Sequence, residues 1–428
     1  MKEGRHAGLP LQNFMNIQLI REQFPSLSLK SNGQPTIFFD NAAGTQVAQQ
    51  CIDQVTQYFL NSNANTGGVF ETSRRSDDLL ETCRQRVADF IGVKDAQEVA
   101  FGPNMTTLTQ AFARAFGRSC QEGDEIITTS LEHEANISPW LGLAKERGVK
   151  VRFVDINLDD MTINLDSLRE QLSKRTRLVA VGYASNAFGT VNPVQEVAKL
   201  AHSVGALCFV DAVHYSPHGL IDINELGCDV LVYSIYKAFG PHVGVIWGQR
   251  KLMEGLETFH LRTVKNIIPD KFEVGTQNHE GIAGALGSLE YFESLPKLLG
   301  NNANNTSHSE NLRLAMTSIR EYEKTISEKL LEVFARHSHV QVYGITDPMR
   351  LNERVPTFAI NVKNYSAKEV AIKLAEVGIN VWSGNYYALE PMTRLGLEER
   401  GGAVRISLVH YNTFEEIDSL DQALNSLK

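Results

Sequence analysis

Two charged residues stand at the ends of apolar runs, where a buried ligand could meet them. Leu207-Cys208-Phe209-Val210 ends in Asp211, and Lys237 lies twenty-six residues further on, after the run through Tyr233 and before the turn at Gly240-Pro241. In open α/β sheets ligands bind beyond the carboxyl ends of the strands, so a carboxylate placed there faces the ligand. A Lys at a strand end, beside apolar residues, can have a lowered pKa and attack a carbonyl carbon as the free amine. Each residue alone has a plainer reading, Asp211 as a loop cap and Lys237 as a solvated loop side chain. As a pair they match what pyridoxal-5'-phosphate (PLP) requires, a carboxylate on its pyridine nitrogen and a Lys on its aldehyde carbon.

Such a cofactor also needs a phosphate cradle. Pro103-Asn104-Met105-Thr106-Thr107 follows one predicted strand and opens a predicted helix. Free backbone N–H groups at a helix start, joined by Thr hydroxyls, suit a phosphate, although an ordinary N-cap accounts for one such Thr. Glu132-His133-Glu134-Ala135-Asn136 follows another strand, and its imidazole could stack on a planar ring or simply lie at the surface. The sequence has no dinucleotide fingerprint, no P-loop, no His-Glu-x-x-His and no Cys-x-x-Cys, so no metal site is expected.

The elements that must position these residues are legible as a pattern. Strands are expected over 36–40, 98–101, 125–129, 151–155, 177–182, 207–211, 230–233 and 243–247. Several are continuous apolar runs, as in strands buried on both faces. Helices are expected between them over 46–60, 77–91, 107–116 and 193–204. This alternation predicts an α/β fold, a mainly parallel sheet of seven-stranded type flanked by helices. After about residue 285 the pattern becomes a long helix ending near Leu299, a polar linker over 301–309, a second long helix to about His337, then short strands with two helices. The expected division is an N-terminal segment (1–35) packing with the small domain, a large domain (36–290) and a smaller α+β domain (291–428).

Composition sets the outer bounds. The 428 residues carry a net charge of -9, with 43% hydrophobic and 21% charged residues. That balance argues against a general nucleic-acid binder, which depends on Lys and Arg. No apolar run reaches the roughly 18 residues needed to cross a bilayer, and residues 1–14 lack the apolar core of a signal peptide. Five scattered cysteines read as free thiols in a reducing, cytoplasmic compartment.

At these residues the chain resembles the class V aminotransferase family of fold-type-I PLP enzymes, in the branch of cysteine desulfurases and selenocysteine lyases. The resemblance runs from about Phe38 to the C-terminus. It is carried by Phe39-Asp40-Asn41-Ala42-Ala43-Gly44, Glu132 to Asn136, Ser185-Asn186-Ala187-Phe188-Gly189-Thr190, Asp211-Ala212-Val213-His214, Ser234 to Lys237, Phe272-Glu273-Val274-Gly275-Thr276 and Val404-Arg405-Ile406-Ser407. It implies that Lys237 forms a Schiff base with the cofactor, Asp211 pairs with the ring nitrogen and His133 stacks on the ring. It further implies that Asn186 and His214 bond the phenolic oxygen. Thr106, Ser234, Tyr236 and the Met105 N–H would hold the phosphate, and Thr276 would reach the phosphate of the partner in a homodimer. Arg405, with Asn41 nearby, would bind the substrate.

The departures concern sulfur. Tyr387 stands where the family carries its mobile-loop Cys, Trp382 replaces an Arg, and no cysteine follows Cys228. The segment Asn63-Ala64-Asn65-Thr66-Gly67-Gly68 lacks the family's basic residues, and Tyr236 replaces the usual His before the Lys. A phenol, with a reference pKa of about 10, is a poor substitute for a thiolate. The expectation is a desulfurase-like enzyme acting on an amino acid by another reaction: transamination, elimination or epimerisation, with Tyr387 either donating a proton or filling space. The rivals are a true desulfurase or selenocysteine lyase using another nucleophile, and a PLP-binding protein without catalysis.

Overall fold

In this computed structural model, residues 16–31, 33–300 and 306–427 are described. A seven-stranded sheet forms the centre: β1 (Val99–Gly102), β2 (Glu125–Thr129), β3 (Lys150–Val154), β4 (Thr176–Gly182), β5 (Leu207–Asp211), β6 (Val230–Ser234) and β7 (Gly244–Gly248). The spatial order is β1-β7-β6-β5-β4-β2-β3, and only β7 runs antiparallel to its neighbours. In β4, β5, β6 and β7 all but two of the residues are buried, which explains why these strands read as apolar runs rather than as alternation. Helices cover both faces: α1 (Gln49–Asn61), α2 (Glu71–Ile91), α3 (Met105–Gly117), α4 (Ser138–Arg147), α5 (Val194–Ser203) and α6 (His279–Leu298). One face holds a core around Phe90, Tyr233 and Phe292, the other a core around Phe112, Trp140 and Phe209.

The C-terminal part builds a second sheet of four antiparallel strands, β8 (Val340–Tyr343), β9 (Thr357–Val362), β10 (Trp382–Gly384) and β11 (Ala403–Ser407), in the order β8-β9-β11-β10. Helices α7 (His308–Arg336), α8 (Ala367–Glu376) and α9 (Phe414–Asn425) complete this unit around Phe334, Phe358 and Ile406. Each of the three helices starts with a capping box, Ser307 with Glu310, Ser366 with Glu369 and Thr413 with Glu416. A short helix, Leu389–Arg394, is an addition to the two expected after the long one. The expected linker falls partly outside the described residues, as does the expected N-terminal segment.

One expected strand of the large sheet lies elsewhere. Only Ile37–Phe38 is extended, and it pairs in parallel with Ile379–Asn380. Asp40 bridges to Ser407. The apolar run through Phe39 is genuine, but its burial comes from the C-terminal core that it joins. Residues 37–41 thereby join the C-terminal unit, while Ala42, Thr45 and Ala48, which follow, bond to Lys237, Tyr236 and Phe239 just after β6, so that residues 37–48 clamp the two halves of the chain.

Candidate active site

The carboxyl ends of three parallel strands converge on one cavity of about 640 Å3. Gly182 ends β4, Asp211 ends β5 and Ser234 ends β6, and all three line it. A single turn of 3-10 helix, Ile235–Lys237, carries the chain from β6 into the cavity. The N-terminus of α3 forms another wall. Asn104 caps that helix by accepting from the Thr107 N–H at 2.9 Å, and the Met105 N–H donates to Ser234 Oγ at 3.0 Å. Gly244 of β7 permits this approach, because a Cβ there would lie 2.3 Å from the Asn104 carbonyl carbon.

The charged groups are displaced from their ordinary pKa values, mainly by burial. Lys237 falls to about 7, with Arg405 pushing the same way and Asp211 opposing; its Nζ donates to the Ala42 carbonyl. Asp211 rises to about 6 despite accepting from the Val213 N–H at 2.9 Å. His133 is pushed down to about 3 and is therefore neutral. Its Nδ1 accepts from the Ala135 N–H at 3.0 Å, which leaves the proton on Nε2. His214, also pushed well down by burial, meets Thr357 Oγ1 at 3.1 Å. Two strongly shifted groups, an amine and a carboxylate, thus share one cleft, and shifts of this kind cluster at functional sites.

A second chamber of about 470 Å3 opens beside the first and shares Thr106, His133, Asn186, Tyr236 and Lys237 with it. Arg405, on β11, enters here from the C-terminal unit. Its Nη1 donates to the Asn186 carbonyl at 3.0 Å and its guanidinium lies 4.6 Å from the Tyr386 ring centroid. Burial pushes Arg405 down to about 10, still charged at neutral pH. Arg405 Nε and Asn186 Oδ1 are buried without protein partners. Buried polar atoms left in this state point to a missing ligand.

Trp382 to Ala388 roof this second chamber. Tyr386 and Tyr387 both have left-handed backbone, with φ of 54° and 59°. Their carbonyls accept from Asn186 Nδ2 at 2.9 Å and from the Glu134 N–H at 2.7 Å respectively. Strained conformations of this kind persist where surrounding bonds determine them and cluster at functional sites. The Tyr387 ring is 70% exposed and sits 5.5 Å from the His133 ring, so it faces the chamber mouth rather than filling a core.

Of the sequence-derived site residues, Lys237, His133, Asp211, Met105, Thr106, Asn186, His214, Ser234 and Tyr236 line the first cavity, and Tyr387 and Arg405 line the second. Two do not join them. Asn41 borders neither cavity: its amide donates to Phe38 O, Ser407 O and Asn412 Oδ1, and its Oδ1 accepts from Tyr411, so the side chain is spent on the clamp. Thr276 is exposed in a separate depression reached past His242. Sequence reasoning passed over Glu132 and Tyr386. Glu132 lines the first cavity, accepts from Thr129 Oγ1 at 2.6 Å and Asn136 Nδ2 at 2.8 Å, and is raised to about 7 by burial. A Glu inside an otherwise buried turn was its one available signal.

Known proteins resemble this chain along nearly its whole length. The family model described as aminotransferase class-V matches residues 37–420. A cysteine desulfurase of Synechococcus elongatus is 31% identical over 96% of this chain, which spans 64% of that protein. An aminotransferase-like protein of Gibberella zeae is 30% identical, covering 96% of this chain and 98% of its own length. The apo structure of a cysteine desulfurase from Thermococcus onnurineus superposes with a TM-score of 0.84 at 27% identity, over 96% of this chain and 98% of that one. The chain therefore belongs to the class-V aminotransferase family of PLP-dependent enzymes.

Proposed function

We propose that this enzyme acts on an amino acid through Lys237 and catalyses a reaction other than cysteine desulfuration. The observation that carries the second half is the placement of sulfur. All five cysteines are buried, and none lines either chamber. Burial pushes the thiols of Cys51 and Cys228 up to about 12, and raises those of Cys83, Cys120 and Cys208 as well. A sulfur acceptor must be an exposed thiolate. The position over the chamber holds Tyr387, whose oxygen cannot become a persulfide.

The first chamber fits PLP in its donor set. Asp211 would hold the ring nitrogen and His133 would cover the ring, while Asn186 and His214 would face the phenolic oxygen. Thr106, Ser234 and Tyr236 would hold the phosphate, with the Met105 N–H, which donates to Ser234 Oγ, positioning that hydroxyl. When bound, PLP supplies an electrophilic carbon and an electron sink for charge released at the substrate α-carbon.

The chain's own residues supply the rest. Arg405 binds the substrate carboxylate with a two-pronged donor. Lys237, at about 7, exists near neutral pH in both protonation states, so its Nζ can take the α-proton and return it. Tyr387 stands at the mouth of the same chamber, where its hydroxyl could donate a proton, and where its ring limits access of water. Support for a homodimer comes from Thr276, which stands exposed, and from the apolar surface of Phe59, Leu60, Val69 and Phe70, each more than half exposed.

The test is sulfide release from cysteine with reductant, for wild type, Lys237→Ala and Tyr387→Phe. Negligible release by wild type is expected. Robust release that depends on Lys237 would overturn the reading.

A further inference from the structure

The second chamber has an acidic residue that none of the roles above uses. Glu134 comes from the turn after β2, whereas Arg405 comes from β11, and both line this chamber. Glu134 is its only acid among the described residues, and it forms no ion pair with Arg405 or Lys237 there. Its Oε1 accepts from Ser138 Oγ at 2.5 Å, which fixes the carboxylate in place. Two aromatic side chains at the mouth, Trp382 and Tyr387, are 50% and 70% exposed and border the same space. At about 470 Å3 the chamber lies in the range of sites for drug-sized ligands, far beyond what a two-atom side chain needs. It also continues past Gln110, Ser138 and Pro139 into a groove of about 130 Å3 bordered by Gly142.

A carboxylate that lines one chamber with two exposed aromatic side chains offers the chemistry that recognises a cation. We infer that the substrate is an amino acid with a long side chain ending in an ammonium or guanidinium group, held by Glu134 and the faces of Trp382 and Tyr387. This rests on the proposed amino-acid activity. Arg405 takes the α-carboxylate, and Glu134 takes the distal cation, so one zwitterionic substrate satisfies both charges. Glu134 is thus a specificity-determining residue that touches substrate at the end remote from the reacting carbon.

The test titrates the holoenzyme with L-lysine, L-arginine and L-norleucine and follows the change in cofactor absorbance. Norleucine matches lysine in its carbon chain but lacks the charge. Lysine or arginine is expected to bind at least about 10-fold tighter than norleucine. Glu134→Gln, which keeps the size and the bond to Ser138, should bring that ratio close to one and leave norleucine unchanged. Equal binding of all three by wild type would overturn the inference. So would a preference that survives in Glu134→Gln, or a parallel loss of norleucine binding, which marks a role in shape alone. Absence of any response to any amino acid would instead overturn the broader reading, and this inference with it.

Discussion

At the scale of single residues, the site holds charges that folding alone would not choose. Asp211 is held near 6 against an ordinary carboxylate value of about 3.9, so the folded apo protein binds a proton that the unfolded chain has already released. Stability from this group is full below about pH 4 and falls as pH rises through 6. Asp211→Asn removes the titration and should stabilise the apo protein at pH 7 by about 3 kcal/mol, an advantage that disappears near pH 4. Thermal melts of both proteins at the two pH values measure it. Lys237 has the opposite sign: the folded state sheds its proton near 7 while the unfolded chain keeps it to about 10.4, so this group's contribution improves as pH climbs between those values. Borohydride reduction of the holoenzyme followed by peptide mass mapping should place the cofactor on Lys237, and an adduct on another Lys would refute the assignment. Arg405→Lys keeps the charge but loses the fork, and should weaken amino-acid binding about 10-fold or more while cofactor stays bound. Spectral titration of the variant checks it, and unchanged affinity would give Arg405 another task.

At the scale of elements, the parts nearest one another in sequence were the legible ones. β5 with Asp211, β6 with the turn to Lys237, and the start of α3 announce themselves as apolar runs and a capped helix start, because local burial and local capping are written locally. The roof was not readable. Two successive tyrosines in left-handed backbone are held by Asn186 and Glu134, each two hundred residues or more away, and no local pattern encodes such bonds. Asn41 misled for the same reason: its partners at Ser407 and Asn412 are distant in sequence, and they turn a residue beside the site into part of the clamp. Gly244 offers the test at this scale. Gly244→Ala would force Asn104 and the start of α3 away from β7. The expected result is a loss of PLP affinity of about 10-fold or more with near-native secondary structure, read by cofactor titration and circular dichroism. Unchanged affinity would show that the α3 start does not hold the phosphate.

At the scale of the whole molecule, the alternation of strands and helices identified the large sheet, whereas the joining of residues 37–41 to the C-terminal sheet depends on contacts that close only in the folded chain. The exposed Thr276 and the apolar residues near α1 and α2 predict a dimer. Sedimentation should find a two-chain species, and Leu60→Asp with Val69→Asp should shift it toward monomer and lower PLP affinity. A wild-type monomer with full cofactor affinity would overturn this.

The sealed thiols have a consequence of another kind. Every thiol in the chain sits behind packed side chains, and the residue exposed at the chamber mouth is a tyrosine, Tyr387. Alkylating reagents act on exposed thiolates, so they find no thiol target in either chamber. This enzyme should keep its activity in iodoacetamide, which silences enzymes dependent on an exposed catalytic cysteine.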